Sequence, residues 1–89
     1  MDADVGHGGT SRFIAEMEHG AVIVLELPLA NISWTRYYMV SGIITTDTPL
    51  VVRLTIADAN RDGKPDLVIS VEGTGVQLVL YNTGTAFKD

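Results

Sequence analysis

Cysteine is absent from this chain of 89 residues, so no disulfide can staple it. That neither proves nor excludes secretion, because a bound metal can act as the staple of a small domain. A basic footprint is missing as well. Six Lys and Arg stand against eleven Asp and Glu, a formal net charge of −5, which argues against a nucleic-acid binder. No run approaches the roughly 20 apolar residues of a membrane span; the stretch from Ala21 to Leu25 is interrupted at Glu26. The start lacks the basic region and apolar core of a signal peptide, with Asp2, Asp4 and a Gly-rich run in their place. Extracellular location would then need a removed leader or another route.

Catalytic constellations are equally thin. There is no nucleophile elbow, no phosphate-cradling Gly loop opening a helix and no His pair at zinc spacing. Glu16, Glu18 and His19 form the only acid–imidazole cluster, and a surface hairpin explains it, so no enzyme is expected. A chain this short buries only about 60–65% of its unfolded surface and is marginal without help from a metal or from self-association.

What is present is concentrated at Asp58 to Leu67, DANRDGKPDL. A hard cation such as Ca2+ takes six to eight oxygens on a sharply turned loop with alternate side chains inward. Asp58, Asn60 and Asp62 alternate, Gly63 can take the positive φ that folds the loop back, and Asp66 closes it. The carbonyl of Lys64 is the natural backbone ligand, and Pro65 stiffens the approach to Asp66. Asp, Asn, Gly and Pro are also ordinary turn residues, so an acidic solvated turn is the plain alternative. An EF-hand does not fit: its twelfth position needs a bidentate Glu, and that position is Ile69.

Both flanks of the loop alternate as half-buried strands. Leu50, Val52, Leu54 and Ile56 share one face before it; Leu67, Ile69 and Val71 share one after it. Gly73-Thr74-Gly75 is a turn, and Val76, Leu78 and Leu80 follow on a common face. Upstream, residues 1–11 read as a flexible tail with His7 solvated. Residues 12–18 suit a strand, with a short helix as the alternative. Ala21 to Leu27 is a strong strand ended by Pro28, and Arg36 to Ile44 another, with Gly42 as a possible bulge. The expectation is one all-β domain over residues 12–89: a small antiparallel sheet, sandwich or barrel of about six strands.

From Leu54 to Phe87 the chain runs LTIADANRDGKPDLVISVEGTGVQLVLYNTGTAF. This resembles the FG-GAP/VCBS repeat, the blade unit of integrin-like β-propellers. The resemblance implies Ca2+ bound at Asp58, Asn60, Asp62 and Asp66 and the carbonyl of Lys64. It also favours an extracellular setting. Arg61 departs from the family pattern, which often has Gly there. Propellers need roughly four to eight blades, and this chain holds one such motif with no second copy upstream.

Trp34-Thr35-Arg36-Tyr37-Tyr38 is the aromatic patch. Alternation groups Tyr38 with Val40 and Tyr37 with Met39. Core packing at a sheet edge explains most of it, while Trp34 and Tyr37 also suit a sugar platform or an interface. The functional expectation is a Ca2+-binding recognition or assembly module with a structural metal. The alternatives are a non-catalytic fragment accompanying an enzyme and a carbohydrate-binding module. Its partner is expected to be itself, as a dimer on a free face of the C-terminal sheet and its exposed Val76 to Tyr81 edge, or another protein.

Overall fold

The computed structural model describes residues 1–18, 21–40 and 51–88. Those residues form two four-stranded antiparallel sheets that share one core. The first contains β1 (Asp2–Asp4), β2 (Thr10–Glu18), β3 (Ala21–Pro28) and β4 (Arg36–Val40) in that order. The second contains β5 (Val52–Ala57), β6 (Asp66–Val71), β7 (Val76–Asn82) and β8 (Phe87–Lys88), also in chain order. A short 3-10 turn, Ile32–Trp34, joins β3 to β4. Two stacked meanders make a sandwich, not a closed barrel. The strand count exceeds the expected six because β1 and β8 are too short to leave a periodic signal.

Period-2 alternation sets which side chains face inward. In the first sheet the inward rows are Ala15 and Val24 with Tyr38, and Met17 and Val22 with Val40. In the second they are Val52 with Val71 and Val76, Leu54 with Ile69 and Leu78, and Ile56 with Leu67 and Leu80. Leu67, Ile69 and Leu80 are almost fully enclosed, each worth roughly 1.5–3 kcal/mol of burial. Phe87 seals the end of the sandwich, packing edge-on against His7, Phe13 and Tyr38 with ring centroids 5.0, 5.9 and 5.6 Å away.

The amino-terminal residues differ from the sequence expectation. They are not a tail. Asp2, Ala3 and Asp4 pair with Arg12, Ser11 and Thr10, and Met1 exchanges backbone hydrogen bonds with Phe13. Val5 is 1% exposed. Gly6, Gly8 and Gly9 all take positive φ, so the glycines that suggested slack build the reversal between β1 and β2. Residues 12–18 are strand, as favoured. Gly42, Leu50 and the second half of the strand expected at Arg36 to Ile44 lie outside the described residues.

Candidate metal loop and the buried polar chain behind it

The loop between β5 and β6 is turned by its own side chains. Asp58 accepts the amides of Asp62 and Gly63 at 3.1 and 2.8 Å, and Asp62 accepts that of Lys64 at 2.9 Å. Gly63 has φ +85°, and Arg61 sits at φ +60° in the left-handed region. A glycine is the ordinary occupant of that conformation, so Arg61 holds it at a cost.

One carboxylate oxygen from each of Asp58, Asp62 and Asp66 lies within 4.8 Å of the other two. Asp58 and Asp62 are exposed, whereas Asp66 is fully buried. Two oxygens bound to one Ca2+ at 2.3–2.6 Å are at most about 5 Å apart, so the spacing fits a single ion. Among the described residues, no Lys, Arg or His lies within ion-pair reach of these three carboxylates. Asn60 and Lys64 are exposed on the same loop. Trp34 and Tyr37 belong to the other sheet's connection and edge strand, where they are 66% and 70% exposed. Neither packs in the core. Glu16 is exposed on β2, while His19 lies outside the described residues.

Behind the loop runs a buried polar chain that periodicity did not reveal. Asp66 accepts the amide of Ala59 at 2.9 Å through one oxygen and that of Asn82 at 2.8 Å through the other. Each oxygen keeps a lone pair for a cation. The Asn82 side-chain nitrogen donates to the carbonyls of Val5 and Pro65 at 2.8 and 2.9 Å. Its Oδ1 therefore faces the amide of Gly84 and Nε2 of His7, both at 2.8 Å. His7 Nδ1 contacts Glu26 Oε2 at 2.7 Å, with the two side chains 2% and 1% exposed.

That geometry fixes the protons. Two carbonyls hold the Asn82 amide in one orientation, so Nε2 of His7 must donate. The Tyr38 hydroxyl donates to Glu26 Oε1 at 2.7 Å, and Ser11 Oγ reaches Oε2 at 3.4 Å. Burial, together with the hydrogen bond and negative charge of Glu26, pushes the Tyr38 phenol up to about 12. Glu26 gave one sequence signal: it shares the inward face of β3 with Val22 and Val24, where a carboxylate needs partners. His7 is thus enclosed, not solvated as its glycine-rich surroundings suggest. Its partners stand 19 and 75 residues away.

A shallow pocket of about 370 Å³ opens between the β1–β2 reversal and the β5–β6 loop, lined among others by Asp4, Gly6, Lys64 and Asn82. Comparison with family models, with curated proteins and with solved structures gave no match.

Proposed function

We propose that this chain is a Ca2+-binding, non-enzymatic module in which the ion is structural and the activity is recognition or assembly. The supporting observation is the convergence of Asp58, Asp62 and Asp66 oxygens within 4.8 Å, with no cationic side chain to neutralise them among the described residues. Asn60 and the Lys64 carbonyl complete the donor set implied by the resemblance to the FG-GAP/VCBS repeat. All these donors are oxygens, which suits a hard cation. The bound ion supplies positive charge that offsets carboxylate repulsion. Asp66 transmits the effect inward, because the same carboxylate holds the amide of Asn82.

Calorimetry on chelator-treated protein tests the reading. Ca2+ is expected to bind with a dissociation constant on the order of 10⁻⁴–10⁻³ M, as in extracellular modules. Asp58→Ala and Asp62→Ala should each abolish the heat, and Glu16→Ala should leave it. Unaltered binding in the doubly substituted loop contradicts the assignment.

A second reading, carbohydrate binding, draws support from the exposure of Trp34 and Tyr37. A glycan array on wild type and Trp34→Ala decides it.

A further inference from the structure

The outer face of the first sheet is apolar and has no partner within the chain's described residues. Its cross-strand rows are Ile14 with Leu25 and Tyr37, and Ile23 with Met39, while Leu27 lies in the next row. Tyr37, Met39 and Ile14 are 70%, 56% and 41% exposed. Beside this face, the β3–β4 connection adds Leu29, Ile32 and Trp34, also exposed. Trp34 and Tyr37, aromatics of about 150–250 Å² each, are 66% and 70% exposed, and with the four aliphatic side chains the surface reaches the upper end of what a monomer ordinarily shows, about 300–600 Å². With the half-buried Ile23, Leu25 and Leu27 it approaches the roughly 800 Å² per partner of a stable complex.

Among the described residues, the second sheet offers no comparable face. Its outer rows are Thr55 with Val68 and Val79, and Arg53 with Ser70 and Gln77. Val68 at their centre is only 8% exposed. The free apolar face therefore lies on the opposite sheet from the one expected from sequence. The edge formed by β7 is also partly closed, since Tyr81 and Asn82 pair with β8.

Charge at the ends of the open face selects the occupant. Arg12 opposes Leu27 at one end and Glu16 opposes Ile23 at the other. On one strand face they are about 14 Å apart, with the Ile14 row midway between. A two-fold axis along that middle row stacks Ile14, Leu25 and Tyr37 on their own copies. It simultaneously sets each Arg12 against Glu16 of the second copy. Asp2 grips Arg12 through Nε and Nη2 at 2.9 and 3.1 Å, leaving Nη1 to reach across. We infer that this face binds a second copy of the chain, antiparallel and two-fold, as isologous dimers do. The inference stands on the sheet pattern and is independent of the metal loop. The apolar rows supply the affinity. The exposed charges set the register, because such pairs add little energy.

Sedimentation of the full chain across a hundredfold dilution series tests the inference. Wild type is expected as a dimer that dissociates on dilution. Tyr37→Lys should weaken it at least tenfold with an unchanged circular dichroism spectrum, and Thr55→Lys on the opposite sheet should not weaken it. Arg12→Glu and Glu16→Arg should each weaken self-association, and their equimolar mixture should restore it, a result that a folding defect cannot produce. A monomer at high micromolar concentration overturns the inference. So does a dimer indifferent to Tyr37→Lys, a mixture that fails to associate, or a monomeric chain that captures glycans through Tyr37.

Discussion

His7 and Asn82, 75 residues apart, meet inside the sandwich with Nε2 and Oδ1 separated by 2.8 Å. This contact joins the β1–β2 reversal to the end of β7, and Asn82 also holds Asp66 at the end of the β5–β6 loop. One side chain of the first sheet, Glu26, thus communicates through two polar neighbours with a loop of the second.

Asn82 is the hub, so its removal should cost more than any single hydrogen bond. Asn82→Ala leaves the Val5 and Pro65 carbonyls and His7 Nε2 without their partner. Each buried group left unpaired costs about 1–3 kcal/mol, with some recovery by water. The expected loss is about 2–4 kcal/mol in urea denaturation, against less than about 0.5 for Gln77→Ala on the exposed face. A loss below about 1 kcal/mol would mean that solvent enters and the chain is not buried in solution.

Tyr38 gives a pH signature. Its phenol stands at about 12, against an ordinary 10.0, so between these values the folded chain holds a proton that the unfolded chain has lost. Stability from this group is therefore complete below pH 10 and disappears as pH rises through 10 to about 12. Tyrosinate absorbance should show one of the three tyrosines ionising last. Glu26→Gln removes the negative charge beside it and should bring that step down toward 10. Three superimposed titrations would contradict the burial of Tyr38 and its hydrogen bond to Glu26.

Two backbone positions in the loop should respond with opposite signs. Arg61 occupies left-handed φ at +60°, which costs a side-chain residue roughly 1–2 kcal/mol. Gly there gives back part of that gain as unfolded-state entropy. Arg61→Gly should stabilise by up to about 1 kcal/mol. Gly63 has φ +85° and open space where an alanine methyl would stand. Gly63→Ala therefore meets no clash and suffers only the dihedral cost, about 1–2 kcal/mol of destabilisation. Equal effects of one sign would mean that the loop adopts another turn in solution.

The strand faces were legible in the sequence because alternation is local: Val52, Leu54 and Ile56, or Val76, Leu78 and Leu80, declare their face without reference to a partner. The convergence of Asp58, Asp62 and Asp66 was legible because the three sit within nine positions of one another. The polar chain was not. Nothing near His7 announces Glu26 or Asn82, and Gly6, Gly8 and Gly9 read as slack when they are a turn. Asn82 continues the inward face of Leu78 and Leu80, so with Glu26 it forms a pair of polar residues on core faces. Such residues require each other or another partner, and that requirement was the available clue.

Whether Ca2+ stabilises the fold decides the proposed structural role of the ion. Thermal unfolding of chelator-treated wild type, with and without Ca2+ at ten times its dissociation constant, measures this directly. An ion that binds only the folded chain adds about 1.4 kcal/mol, or roughly 5–10 °C for a domain of this size; Mg2+, which demands a stricter octahedron, should add less. Asp58→Ala is the proper control, because Asp66 is also a buried backbone acceptor and its loss would unfold the chain for a second reason. A rise is expected for wild type and none for Asp58→Ala. An unchanged melting temperature in wild type, or an equal rise in Asp58→Ala, would contradict a structural ion at this loop.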